Sequence, residues 1–148
     1  MTLPTADTTP RSGDRTPLSN THFEVAFDGL PPLGFAGVEG IETALEGVPG
    51  NLTGAASGRV RERPTTLLLT RAATGSRELW EWYAQARQGR NPRRNGLITI
   101  FDADGAAILR ITLRGAQPTR WRLGRLDALQ PGLLTEEIGL HVEAIELS

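Results

Sequence analysis

The sequence predicts a mainly β fold (α+β), an antiparallel barrel-like β-sandwich with one α-helix, from three observations. Most of the chain consists of short segments in which apolar and polar residues alternate, as in half-buried strands. Clusters of Gly, Pro, Asn and Asp separate these segments. Helical spacing of apolar residues is clear in one place, within Leu67–Gly96. A lone helix beside many strands is most simply packed over one opening of a barrel-like sheet.

The predicted helix lies between a buried strand and a basic turn. Ser76 is the expected N-cap, since its hydroxyl can accept a hydrogen bond from a first-turn N–H. Gly89 and Pro92 mark the end of the helix. Trp80 lies off the main apolar face, so the helix carries large side chains on two sides. The main face is formed at positions i, i+3, i+4 and i+7 by Leu79, Trp82, Tyr83 and Ala86.

Six or seven strands are predicted around this helix. A hairpin turn is expected at Asp102–Gly105, a break in the strand at Gln117–Pro118, and a bulge near Ala144 where the apolar face changes side. The segment Gly47–Arg63 is Gly-rich and too long for a tight hairpin. The predicted strands are residues 22–27, a bent segment at 35–46, 66–70, 97–101, 108–113, a further strand starting at 121–129, and 137–147.

Length and composition bound the organisation of the chain. The 148 residues suffice for one domain, expected at 21–148, and residues 1–20 have the polar composition of a flexible arm. A net charge of −1 gives no electrostatic reason to bind nucleic acid or an anionic membrane. The absence of cysteine excludes disulfides and thiolate metal sites. No apolar run approaches the roughly 18 residues of a membrane span.

Residues for catalysis or cofactor binding do not form any recognisable pattern. His22 and His141 each lie on the polar face of a predicted strand, without a spaced cluster of acidic ligands. Asp102–Gly105 resembles the start of a calcium loop, but Leu113 occupies the position of the bidentate glutamate. Gly47–Gly58 lacks the Gly-Lys-Ser/Thr ending of a phosphate loop. The sequence therefore predicts a protein that is not an enzyme and has no cofactor, metal or catalytic residue.

Arginines form the most conspicuous surface feature of the sequence. Arg90, Arg93 and Arg94 cluster in the turn after the helix, where they fit either phosphate contacts or ion pairs with an acidic partner subunit. Because the domain as a whole is not basic, a solvated turn or a protein interface is favoured. Acidic residues between Glu136 and Glu146 offer a matching surface on another copy. The predicted interface residues are Arg59, Arg61, Arg63, Trp80, Arg90, Arg93 and Arg94.

The order and spacing of several segments resemble the inner-tube proteins of contractile phage tails and related bacterial contractile injection systems. The resemblance covers residues 22–148. Ala72 and the corner at 114–118 depart from the usual family pattern, which leaves open whether this is the bulk subunit or a specialised ring. The matching segments are Phe23–Leu30, Phe35–Ile41, Leu67–Arg71, Leu79–Trp82, Arg94–Ile100, the turn at 102–105, Pro118 and Glu136–Glu143.

The resemblance implies a structural subunit that assembles as stacked hexameric rings, whose strands join between subunits into a ring-shaped barrel. The partners it implies are copies of the chain itself, sheath and baseplate proteins, and cargo in the lumen, with no membrane and no sequence-specific nucleic acid. Such a protein is assembled in the bacterial cytoplasm and becomes part of a phage tail or injection particle. Leu97–Phe101 and Ile108–Arg114 are expected to help form the wall of this barrel, and Gly47–Arg63 to reach a neighbouring subunit or ring.

Two alternatives remain at this point. Within the same class, the chain fits a ring that starts or ends the tube, a baseplate ring, or a type VI secretion tube protein. In another class, a small-ligand or carbohydrate-binding β domain would be a monomer with aromatic side chains on one exposed face. The tryptophans are divided between the helix and the strand near residue 121, which is less suitable for a single binding platform.

Overall fold

The computed structural model describes residues 16–47 and 60–148, which form nine strands and one helix. The arm predicted at 1–20 and the loop predicted at 47–63 lie largely outside these ranges. The strands are β1 (Phe23–Phe27), β2 (Gly37–Glu39), β3 (Ala44–Glu46), β4 (Arg61–Arg63), β5 (Thr65–Ala72), β6 (Arg94–Phe101), β7 (Ala107–Leu123), β8 (Thr135–Val142) and β9 (Ala144–Leu147), and the helix α1 is Glu78–Arg87.

Seven strands form one antiparallel sheet in the order β1-β6-β7-β8-β5-β2, and β9 pairs with β7. The 17 residues of β7 divide this sheet into two parts. The first half of β7 pairs with β6 on one side and β9 on the other, and together with β1 they form what we call the front sheet. The second half of β7 joins β8, β5 and β2 in the back sheet. β3 and β4 form a separate hairpin.

The rolled sheet stays open between its two end strands. β1 and β2 do not pair with each other in the described structure, and a cleft lies between them. Its apolar lining includes Phe23 and Ile100 on one side and Val38 and Ile41 on the other. The predicted mainly β, antiparallel fold with one helix is therefore confirmed, and the described part of the single chain does not form a closed barrel.

The continuity of β7 was the main feature that the sequence analysis missed. The strand does not break at Gln117–Pro118, because Pro118 stays paired with Leu140 beside a register shift that lies between Pro118 and Arg120. Proline is tolerated in a sheet at such an irregularity. The separate strand predicted from residue 121 is also wrong, because Trp121 belongs to β7 and pairs there with Ile138 of β8.

The bulge predicted near Ala144 is also misplaced. Ala144 pairs with Arg114 and His141 with Gln117, so both strands advance by three residues across the bend between β8 and β9. The extra residue lies on β7, next to Gly115, where β7 advances by three residues while β6 advances by two. Gly115 has a φ of 65°, a left-handed conformation that suits glycine at a bulge.

The predicted helix is confirmed, but its predicted cap is not. The residue before the helix is Arg77, which makes no side-chain capping bond, and the hydroxyl of Ser76 accepts a hydrogen bond from Arg71 Nη2 at 2.8 Å instead. Leu79 and Trp82 on the predicted apolar face are fully buried. The bent strand at 35–46 and the hairpin turn at Asp102–Gly105 are confirmed.

The core lies between the front sheet on one side and the back sheet and helix on the other. Trp82 is 1% exposed, its ring centroid is 5.0 Å from that of Phe27, and its Nε1–H donates to the carbonyl of Pro92 at 2.6 Å. Trp82 is therefore the tryptophan of α1 that faces inward. The buried apolar residues are Phe27, Leu33, Leu67, Leu69, Leu79, Trp82, Ile98, Ile111, Leu113, Ala116, Ile138, Leu140 and Val142.

Substitution of Trp82 by alanine tests how much of the core depends on the helix. We expect Trp82→Ala to lower the free energy of unfolding by about 3–5 kcal/mol, the usual cost of truncating a buried aromatic side chain. Trp80→Ala is the matched control, because Trp80 lies on the same helix but is half-exposed and leaves a smaller cavity. Chemical denaturation of both variants measures the difference. Equal losses for the two variants would contradict the assignment of Trp82 to the core.

Candidate assembly interfaces

A buried ion pair connects the strands behind the helix. Arg71 of β5 and Glu136 of β8 are directly paired in the sheet, and Arg71 Nε lies 2.9 Å from Glu136 Oε1 with both side chains almost fully buried. Arg71 also donates to the carbonyl of Leu33 at 3.1 Å. The second carboxylate oxygen of Glu136 accepts the indole N–H of Trp121 at 2.8 Å. The guanidinium of Arg71 and both carboxylate oxygens of Glu136 therefore have hydrogen-bond partners, as burial of a charged pair requires.

The same arginine reaches the start of the helix. Besides donating to Ser76, Arg71 Nη2 lies 3.9 Å from Glu78 Oε1 in the first turn. The pKa of Glu78 is lowered from its ordinary value, chiefly by a hydrogen bond from the Ser76 hydroxyl, then by its own backbone N–H and by the nearby charge of Arg71. The buried ion pair is thus connected through Arg71 to the first turn of α1.

Trp80 belongs to an aromatic cluster at the surface, which we define as Trp80, Tyr83, Arg87 and Trp121. The Trp80 and Trp121 rings meet edge to face with centroids 4.9 Å apart, and Tyr83 lies 5.7 Å from Trp80. The guanidinium carbon of Arg87 is 5.0 Å from the centre of the Trp80 ring. Partial exposure of stacked aromatic side chains beside a cation is typical of protein interfaces.

The basic turn predicted after the helix contains arginines in two different situations. Arg94 is half-buried, donates from Nη1 to the carbonyl of Asp28 at 2.6 Å, and has its guanidinium 5.6 Å from the Trp82 ring. It therefore holds the β1–β6 end of the front sheet together. Arg90 and Arg93 are exposed, and Arg93 Nη2 lies 3.3 Å from a carboxylate oxygen of Glu143.

The remaining predicted interface arginines lie on the small hairpin. Arg61 and Arg63 are exposed on β4, and their guanidinium nitrogens lie 3.9 and 3.7 Å from carboxylate oxygens of Glu46 on β3. Arg59 is outside the described residues. Trp80 contacts Tyr83, Arg87 and Trp121, whereas Arg90, Arg93 and Arg94 line a separate concavity with Gln85.

Two surfaces were not predicted, and one of them is the β7–β8 loop. Leu126, Leu129 and Leu133 are 77%, 89% and 85% exposed in this 11-residue connection. Single exposed leucines are common, but three on one loop form a surface that proteins usually cover with a partner. The leucines are spaced i, i+3 and i+7, as on one face of a helix, but Pro131 and Gly132 interrupt the segment, so their spacing did not indicate an exposed loop.

The other surface is formed by the two edges of the front sheet. The backbone carbonyl of His22 accepts a hydrogen bond from the Phe101 N–H, and the backbone N–H of Asp28 donates to the Asn95 carbonyl. The backbone groups of alternate β1 residues therefore point toward β6. By antiparallel alternation, the backbone groups of Phe23 and Val25 point away from the sheet. Arg110 of β7 and Ser148 exchange two backbone hydrogen bonds. By the same alternation, the backbone N–H and C=O groups of Ile145 and Leu147 point to the open edge of β9.

The face of the front sheet opposite the core is polar and exposed to solvent, and its positive and negative charges balance (we call it the wet face). Cross-strand pairing brings Glu24, Thr99 and Arg110 into one row and Ala26, Leu97, Thr112 and Glu146 into the next, with Arg114 beyond them. Arg114 Nε donates to Glu146 at 3.0 Å. The charged side chains on this face are Glu24, Arg110, Arg114 and Glu146, two of each sign.

A metal-binding cluster and a long apolar helix are both absent from residues 16–47 and 60–148. Within these ranges, no three His, Asp or Glu side chains are grouped so that they could hold a metal ion. In the same part of the chain, no helix has the length and apolar character needed to cross a membrane. The described site consists of edges, exposed apolar side chains and arginines, which are elements of protein–protein contact.

Comparison with known proteins gives one family and a set of similar structures. The T4-like virus tail tube protein gp19 family matches residues 19–146. No curated protein sequence matches the chain. A chain of the PVC extracellular contractile injection system sheath–tube complex in the extended state has a TM-score of 0.75 at 16% identity, covering 99% of both chains.

Two further structures have the same fold. A chain of the anti-feeding prophage baseplate, 6-fold symmetrised, has a TM-score of 0.63 at 20% identity, over 90% of this chain and 97% of the other. Hcp1 from Flavobacterium johnsoniae has a TM-score of 0.60 at 18% identity, over 86% of this chain and 94% of the other. At these identities the likeness shows a shared fold.

Substitutions in the buried ion pair test its role in holding the back sheet to the helix. Glu136→Gln removes the buried counter-ion of Arg71 and leaves it only the more distant, partly exposed Glu78, so we expect a loss of about 3–5 kcal/mol in the free energy of unfolding. Glu146→Gln in the exposed Arg114–Glu146 pair is the matched control and is expected to cost at most about 1 kcal/mol. Denaturation curves that show the same small change for both variants would contradict the structural role of Glu136.

Proposed function

Because the chain belongs to the T4-like virus tail tube protein gp19 family, we propose that it is a structural subunit of an inner tube in a contractile tail or injection system, assembled as stacked hexameric rings. The observation that carries the proposal is the pair of open edges on the front sheet, β1 and β9. The front sheet has four strands that alternate in direction. The β9 edge of one copy and the β1 edge of the next are then antiparallel, and the sheet continues across the seam.

Ring closure accounts for the open edges. Unpaired edge strands are a liability for a single domain, and closing the sheet around a ring removes all of them at once. Six copies are consistent with the 6-fold symmetry of the anti-feeding prophage baseplate, one of the similar structures. No catalytic step is required of such a subunit, since its work is done by assembly, and the family consists of tube proteins.

We assign the wet face of the front sheet to the lumen. Leu97–Phe101 and Ile108–Arg114 then form part of the wall, with their polar side chains inward and Ile98, Ile111 and Leu113 packed against the core. Two acidic and two basic side chains on this face balance each other. A wall of this kind does not retain strongly charged cargo of either sign, which suits a conduit.

The opposite side of the subunit then faces outward, toward a sheath. The back sheet, the helix, the aromatic cluster and the leucines of the β7–β8 loop lie behind the core as seen from the lumen. PVC tube subunits occur in a sheath–tube complex, and the same arrangement here gives the exposed apolar side chains a partner. The particle would be assembled in the bacterial cytoplasm before it acts.

A specialised ring is the second candidate. The PVC sheath/tube terminator matches with a TM-score of 0.74 at 17% identity and the anti-feeding prophage tube-terminating cap with 0.73 at 16%, nearly the same as the 0.75 of the PVC sheath–tube complex. Purified bulk subunits would extend into long tubes, whereas a terminal or baseplate ring would stop at one or two rings. Electron microscopy of the purified chain at high concentration distinguishes the two.

Proline at the β9 edge tests ring closure. Leu147→Pro removes a backbone N–H that points away from β7, so the folded monomer should persist while rings are lost. Residue 146 is already extended, as the residue before proline prefers. Leu147→Ala is the matched control, because it removes the same apolar side chain but keeps the N–H. Light scattering should show hexamers for the alanine variant and monomers for the proline variant; rings in both would refute the edge seam.

Removal of the exposed leucines tests the sheath contact. The triple variant Leu126→Ser, Leu129→Ser, Leu133→Ser should form rings and tubes with unchanged stability, because these side chains contribute little to the core. Co-expression with the sheath protein of the same particle should then yield bare tubes. Leu45→Ser, an exposed leucine on the β3–β4 hairpin, serves as control and should leave sheathed particles intact. Normal sheath assembly on the triple variant would exclude this loop from the contact.

A further inference from the structure

The two ends of the front sheet carry opposite charge. β6 runs from one end to the other, starting at Arg94 directly after the basic turn and ending at Phe101 directly before the Asp102–Gly105 turn. At roughly 3.3 Å per residue, its eight residues separate the two turns by about 26 Å. No acidic residue occurs between Glu81 and Asp102, so every charge along this stretch is an arginine until the acidic turn.

At the acidic end, Asp104 is the exposed charge. Asp102 is occupied by the turn itself, since its Oδ1 accepts the N–H groups of Asp104 and Ala106, each at 2.9 Å. The side chain of Asp104 lines a shallow concavity shared with His22 and Glu24 of the β1 end. No arginine follows Asp104 before Arg110, so the turn carries uncompensated negative charge.

At the basic end, Arg90 and Arg93 line a second concavity together with Gln85. The acidic groups facing them are Glu143, which is 3.3 Å from Arg93, and the exposed Asp28 beside Arg94. Three arginines, Arg90, Arg93 and Arg94, line this concavity and outnumber the two carboxylates, so the end remains positive. It is therefore complementary to the Asp104 turn at the other end of the same sheet.

We infer that the occupant of the basic concavity is the Asp102–Gly105 turn of a second copy, in the next ring of the stack. This inference rests on the proposed ring. With the strands running between the two faces of a ring, head-to-tail stacking places Asp104 against Arg90 and Arg93, once for every subunit around the junction. Reversing one ring would place like charges together, so the contact also determines that all rings point in one direction.

Charge reversal separates stacking from ring formation. Asp104→Arg gives rings with two positive ends, and Arg90→Asp with Arg93→Asp gives rings with two negative ends. Each variant alone should form rings but at least about 10-fold fewer tubes than the wild type, because like charges meet at every junction. An equimolar mixture of the preformed rings should restore tubes, in which the two variants alternate. Negative-stain microscopy and sedimentation measure rings and tubes separately.

The outcomes distinguish this inference from the proposed function. A wild-type chain without rings would refute the tube subunit itself. Rings in all variants with no tubes in the mixture, or tubes in each variant alone, would overturn the stacking contact while leaving the ring intact. Glu39→Arg, an exposed charge reversal on β2, is the control, and a loss of tubes there would show that net charge rather than position matters. Asp104→Lys replaces Asp104→Arg if the latter does not fold, which circular dichroism detects.

Discussion

The buried pair of Arg71 and Glu136 is the interaction on which the rest of the structure depends. A charged side chain removed from water needs hydrogen-bond partners inside the protein. For this pair the partners are a loop carbonyl, a hydroxyl just before the helix and the indole of Trp121. The position of α1 on the back sheet follows from these bonds. Trp80 is positioned in turn, because it packs against the same Trp121.

The long strand β7 connects the back sheet, where this ion pair lies, to the front sheet. Its first half belongs to the front sheet and its second half to the back sheet, and the bulge at Gly115 changes which side chains face the core. One continuous strand therefore connects a wet, charge-balanced face with the outward-facing aromatic cluster.

Much of this fold was predictable from periodicity, and the failures have physical causes. Alternation identified β1, β6 and the first half of β7, and helical spacing identified α1, but only the structure shows that Trp82 rather than Trp80 faces inward. Proline was expected to end β7, yet pairing with a central strand outweighed the lost N–H. The N-cap failed because Ser76 serves Arg71, a long-range contact that spacing cannot reveal. The open edges and exposed leucines could not be predicted, since both depend on which neighbours the folded chain lacks.

The open strand edges and the charged turns of the single chain all fit contacts with further copies of the same chain. In the proposed assembly, the backbone edges of β1 and β9 require another copy beside them, and the basic and acidic turns require one above and one below. These requirements act along perpendicular directions, around a ring and along its axis, so satisfying one does not interfere with the other. Edge pairing uses backbone hydrogen bonds and is weakly sensitive to salt, whereas the exposed turns interact through charge screened within about 8–10 Å. In the proposed assembly, a higher salt concentration therefore weakens stacking more than ring closure, so the two contacts can be separated experimentally.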